Sequence, residues 1–148
     1  MTIKEIKKAV NAALKKAHPD CKIYGADTIE GYERPCFFTY VNLTFSESTK
    51  NMSHKNVEVT IDYIQRSPDE SDGMEFFSKM ERLFCLKLDT GDRKLSTSNQ
   101  QSDFVGDNAN IPSFSFDVEF WDAIEKETDN TPLMGELIMK EVTQGDYQ

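Results

Sequence analysis

Histidine is scarce in this chain, with two in 148 residues, and the scarcity removes the commonest general base from most catalytic arrangements. His18 precedes Pro19 at the end of a helical pattern and His54 stands in a polar stretch, neither within a recognisable nucleophile motif, so both are read as structural or solvent-facing. His18 and Cys21 have a metal-like separation, but no second pair completes four ligands, and no metal or cofactor is expected. The cysteines Cys21, Cys36 and Cys85 are odd in number, lack CxxC spacing and fall on or beside apolar segments, which argues for reduced thiols in a cytosolic setting. The seven glycines are scattered, and Gly25, Gly31, Gly73, Gly91 and Gly106 each fall at a turn or helix start, which makes a phosphate-cradling loop and NTP chemistry poor readings. No apolar run approaches membrane-spanning length. Lysines throughout Met1 to Asp20 leave no signal-peptide core, so a soluble protein not secreted by that route is expected. Basic residues are the minority, 17 against 26 acidic, and the net charge of -9 disfavours a specific nucleic-acid reader.

What is present is two clean alternations. Val57, Val59, Ile61 and Tyr63 alternate with Glu58, Thr60 and Asp62; Phe114, Phe116, Val118 and Phe120 alternate with Ser115, Asp117 and Glu119. Both predict amphipathic strands with one buried face. The length allows one core, and ten Phe and five Tyr supply large buried areas despite a lean hydrophobic share of 38%. Thr2 and Glu5 form a capping box, and Ile3, Ile6, Val10, Ala13, Leu14 and Ala17 recur at helical spacing, which predicts a first helix ending near His18-Pro19. Lys22–Tyr24 reads as a short strand. A longer one follows Pro35, with Phe37, Thr39, Val41, Leu43 and Phe45 on one face and Phe38, Tyr40, Asn42 and Thr44 on the other.

Ser46 to Lys55 reads as a mobile connection of a long hairpin. Ser67-Pro68-Asp69-Glu70 is a helix start with proline just inside, and Phe76, Phe77, Met80, Leu83 and Phe84 form the stripe of a second helix with Cys85 at its buried end. Short strands are expected near Arg93 to Leu95 and Asp103 to Val105, then a strong one over Ser113 to Trp121. Glu125 to Pro132 is a polar linker before the apolar stretch Leu133 to Val142. The predicted class is α+β, a mainly antiparallel β-sheet packed against two α-helices, as one domain over 1–122 with a C-terminal extension over 123–148 that is either flexible or interface-forming.

The carboxylate pairs Glu58 with Asp62 and Asp117 with Glu119 are the nearest thing to acid and base, but on a polar sheet face such groups usually keep a sheet soluble. After the first helix come Ile23-Tyr24-Gly25 and then Gly31-Tyr32-Glu33-Arg34-Pro35-Cys36-Phe37-Phe38: an aromatic or basic residue, Arg-Pro, a small residue and a paired aromatic strand. Asp62-Tyr63, the helix from Asp69, Asp92-Arg93-Lys94-Leu95 and the closing strand follow in order. This pattern, with Gly31 to Phe38 its most specific piece, resembles the tail terminator (tail completion) proteins of tailed bacteriophages and prophages over roughly residues 1 to 122, while the long Ser46 to Lys55 stretch and the extension depart from it.

The resemblance implies a structural virion protein and no enzyme. It implies copies that close into a ring, commonly a hexamer, cap the tail tube, end its polymerisation and form part of the head-tail joint. The implied partners are further copies, the tail tube protein and a head-completion or connector protein. The implied location is the bacterial host cytoplasm during assembly and the virion tail afterwards. The candidate assembly residues are the lysines Lys7, Lys8, Lys15 and Lys16, opposed by acidic later strands, and the anchors Leu133, Met134, Leu137 and Ile138 with Met139. For the extension, folding back on its own core or fraying is the competing expectation. A rival class is a monomeric small-ligand-binding or regulatory α+β domain with an aromatic-lined cavity.

Overall fold

The computed structural model describes residues 1–124. Its elements run α1 (Ile3–Ala17), β1 (Lys22–Tyr24), β2 (Cys36–Ser48), β3 (Met52–Ile64), α2 (Glu70–Leu83), β4 (Lys87–Asp89), β5 (Lys94–Val105) and β6 (Ile111–Ala123). The strands form one sheet in the order β1-β2-β3-β6-β5-β4, antiparallel except for the parallel pair β1 and β2. Both helices feed one core, in which Ile6, Val10 and Leu14 of α1 and Phe76 and Met80 of α2 meet Val57, Val59, Ile61, Phe114, Phe116 and Val118 of the sheet. The α+β expectation is met.

Local chemistry fixes the helix ends. Thr2 accepts from the Glu5 N–H at 3.2 Å while Glu5 accepts from the Thr2 N–H at 2.8 Å, so two of the orphan donors at the start of α1 are satisfied reciprocally. Asp69 caps α2, accepting from the N–H groups of Ser71 and Asp72, and Pro68 therefore lies before the cap instead of just inside the helix. Gln65 holds that cap from the sheet side: its amide donates to the Asp69 carbonyl at 2.8 Å and accepts from the Asp69 N–H at 3.2 Å. Thr39 ties β2 to α1 by donating to Asn11 Oδ1 at 2.9 Å.

Four further features depart from the sequence reading. Ser46 to Lys55 is mostly strand, with β2 and β3 paired out to Ser48 and Ser53 and the turn reduced to a few residues closed by Thr49 and Met52. Pairing with β6 reaches Met52 and Ala123, so the neighbour strand draws a polar sequence into the sheet. A bulge between Leu43 and Phe45 leaves Thr44 unmatched and turns Phe45 onto the opposite face from Leu43. The two short strands expected around 93–95 and 103–105 are one strand, β5, with an irregularity between Ser98 and Gln101 where Asn99 takes φ 54°. Cys85 is exposed, because the chain turns away after the buried Phe84.

Candidate functional site

With both helices on one face of the sheet, the other face carries no covering layer among the described residues. Since Val57, Val59 and Ile61 point into the core, Glu58, Thr60 and Asp62 point to the open face, and β6 presents Ser113, Ser115, Asp117 and Glu119 there. The register sets Glu58 directly opposite Asp117. Like charges opposed across an antiparallel pair are destabilising. Asn99 relieves part of this by donating to Asp117 Oδ2 at 3.1 Å. Burial raises the Asp62 carboxyl above its usual range against a lowering hydrogen bond with Ser113, and its Oδ1 is buried without a partner. The face is therefore an acidic surface whose charges repel one another.

The opposite sign lies on α1, across the core. Lys4, Lys8, Lys15 and Lys16 are exposed, whereas Lys7 is half-buried, its ammonium lying over Gly25, where an added Cβ would come within 2.6 Å of Nζ. Of the four predicted lysines the structure thus leaves Lys8, Lys15 and Lys16 on the free surface and diverts Lys7 to the β1 loop. Lys8 and Lys16 flank an open groove of about 610 Å³ between α1 and the β4–β5 turn, with Asp89 on its far wall. Leu133, Met134, Leu137 and Ile138 lie outside the described residues.

His18 and Cys21 do come together, with Tyr63, Asp72 and Lys79, around a cavity of about 50 Å³. Burial pushes the Cys21 thiol up and holds His18 below its ordinary value, so the thiol is protonated and the imidazole neutral, a pairing without an activated nucleophile. The Tyr63 phenol is pushed up by burial and by its hydrogen bond with Asp72. No group of three metal-ligating side chains forms among the described residues. No described helix is long and apolar enough to cross a membrane. Aromatics that the ligand-binding reading assigns to a cavity lining are packed together instead: Phe37, Tyr63 and Phe76 lie within 5.8 Å of one another by ring centroid.

One cluster escaped the sequence reading. His54 belongs to β3 and not to a polar loop; its ring stacks on Trp121 of β6 at 4.4 Å and meets Phe45 at 5.7 Å, and its Nε2 pairs with Glu119 Oε2 at 2.7 Å. Only the register of β3 with β6 and the bulge in β2 bring these residues together. Trp121, a large apolar residue closing an otherwise acidic face, was the one sequence cue.

A family model described as phage tail terminator protein matches residues 5–130. No curated protein matches the chain. Among the solved structures that match, one aligns over 86% of this chain and 99% of its own, with 12% identity and a TM-score of 0.45.

Proposed function

Because the chain belongs to the phage tail terminator family, whose members are structural proteins of the tail and not enzymes, we propose that it caps the tail tube, stops its polymerisation and forms part of the joint to the head. Copies close into a ring, a hexamer, that faces the tail tube protein on one side and a head-completion or connector protein on the other. Assembly takes place in the host cytoplasm and the ring stays in the virion tail.

The observation that carries this reading is the placement of opposite charges on opposite sides of one subunit: lysines on α1, carboxylates on the open sheet face. A ring needs heterologous contacts, in which one patch meets a different patch on the next copy. Lys8, Lys15 and Lys16 of one copy meet Glu58, Asp117 and Glu119 of the next, which also relieves the opposed pair Glu58 and Asp117. An exposed ion pair contributes only about 0.2–1 kcal/mol, so the contact depends on several acting together and weakens with salt. Electron microscopy of tail tubes polymerised from the cognate tube protein, with and without this chain, tests the function. Tubes are expected to stop at a defined length in its presence; an unchanged length distribution rejects the reading.

A further inference from the structure

Arg34 lies in the segment Gly31 to Phe38, which takes no part in the contact of α1 with the open sheet face. It joins none of the ion pairs among the described residues. Glu33, beside it in sequence, pairs with Lys22 at 2.6 Å, Asp69 caps α2, and Asp72 accepts from the Gln65 amide at 3.1 Å. The guanidinium is aimed by its surroundings instead. Its Nη1 donates to the Gln65 carbonyl at 3.4 Å, its Nη2 to the Tyr32 hydroxyl at 3.5 Å, and its Cζ lies 5.7 Å from the Tyr32 ring centroid. Both bonds exceed the roughly 2.7–3.2 Å of a strong N–H···O bond, so they orient the group without saturating its donors. Tyr32 is itself held, its ring meeting Phe38 edge-on at 5.2 Å and Tyr24 at 6.3 Å.

Arg34 and Tyr32 line a cleft of about 160 Å³ where the end of β3 meets the start of β6. No other charged side chain lines it; Ile64, Pro68 and Ile111 give apolar walls and Asn110 adds an amide. A single planar cation with unused donors matches a singly charged planar oxyanion, which it can grip through two parallel hydrogen bonds. The apolar walls suit the methylene stem of such a group. A phosphate monoester carries about -1.5 to -2 and would be only partly neutralised here, and the net charge of -9 repels a polyanion. Arginine and tyrosine are also the types enriched where protein partners anchor. We propose that the Arg34 cleft docks a carboxylate side chain carried on an apolar-flanked acidic segment of a partner protein. The site goes beyond the capping role and does not rest on it, since binding here is read on the isolated chain.

The test is a heteronuclear NMR titration of the full chain, following the Arg34 Nε–H and Asn110 amide signals. The probes are the acetylated and amidated tripeptide Leu-Glu-Leu, its Leu-Gln-Leu counterpart and inorganic phosphate. The glutamate peptide is expected to shift both signals and the other two probes to leave them in place. Arg34→Gln, with circular dichroism confirming its fold and the Asn110 signal as the readout, should weaken the glutamate peptide about fivefold, as for a partly exposed charge pair. Equal shifts from the glutamine peptide, or an Arg34→Gln chain that binds as the parent does, would overturn the proposal. Shifts from phosphate with none from the glutamate peptide would also overturn it, by assigning the cleft to a phosphate group.

Discussion

Replacing Gly73 by alanine sets two effects of similar size against each other. Gly73 is buried within the first turns of α2, where alanine is favoured over glycine by about 0.8–1 kcal/mol in helix propensity. An added Cβ, however, would lie 2.9 Å from Phe104 Cε1 and 2.9 Å from Pro112 Cγ. The Pro112 ring is fixed to the β6 backbone, and the Phe104 ring is itself packed edge-on against Phe77 at 5.3 Å, so neither neighbour yields freely. Overpacking of this kind costs about 1–3 kcal/mol, which outweighs the propensity gain and leaves a net loss of about 1 kcal/mol. Equilibrium urea unfolding should show a lower midpoint with an unchanged slope. In a Phe104→Ala background, where one of the two contacts is gone, the same change should be less harmful, with a coupling of about 1 kcal/mol between the sites. A Gly73→Ala chain more stable than its parent would refute the reasoning.

Three further outcomes follow from the packing and charge. Phe116, fully buried and stacked on Phe84 at 4.8 Å, should cost about 3–5 kcal/mol when changed to alanine, read by urea unfolding. Asp69→Ala should cost about 1 kcal/mol through loss of the α2 cap, with Asp69→Asn close to neutral, read by thermal unfolding followed at 222 nm. Asp62 has a folded-state pKa raised by burial, so its contribution to stability is full below the unfolded carboxylate value and is lost as pH rises through the folded one. Asp62→Asn should therefore gain on the parent as pH rises from roughly 4 toward neutrality; parallel stability curves for the two chains would remove the effect.

The parts of this fold that could be read from residues alone are those whose signals are local. The Thr2 and Glu5 box with the spacing of Ile6, Val10 and Leu14 defines α1 without reference to anything else, and the Phe114 to Phe120 alternation defines the core face of β6 in the same way. The sequence does not show β5 as one strand because Ser96 to Ser102 has no apolar alternation; its strand geometry comes from pairing with β6. Period-2 alternation puts Phe45 on the same face as Leu43, whereas one unmatched residue, Thr44, reverses the period after it. At the candidate assembly surface, helical spacing correctly exposes Lys8, Lys15 and Lys16, but nothing local shows Lys7 leaning over Gly25. The cluster of Phe45, His54 and Trp121 joins three strands, and a contact of that kind is written in register alone.

The charge arrangement is tested most directly by light scattering at low ionic strength on the parent chain, on a chain with Lys8, Lys15 and Lys16 changed to Glu, and on one that adds Glu58→Lys, Asp117→Lys and Glu119→Lys. Assembly should fall in the first variant and return in the second, where every contact again joins opposite signs. A lysine-reversed chain that keeps the parent's oligomer mass would contradict the pairing of helix and sheet faces.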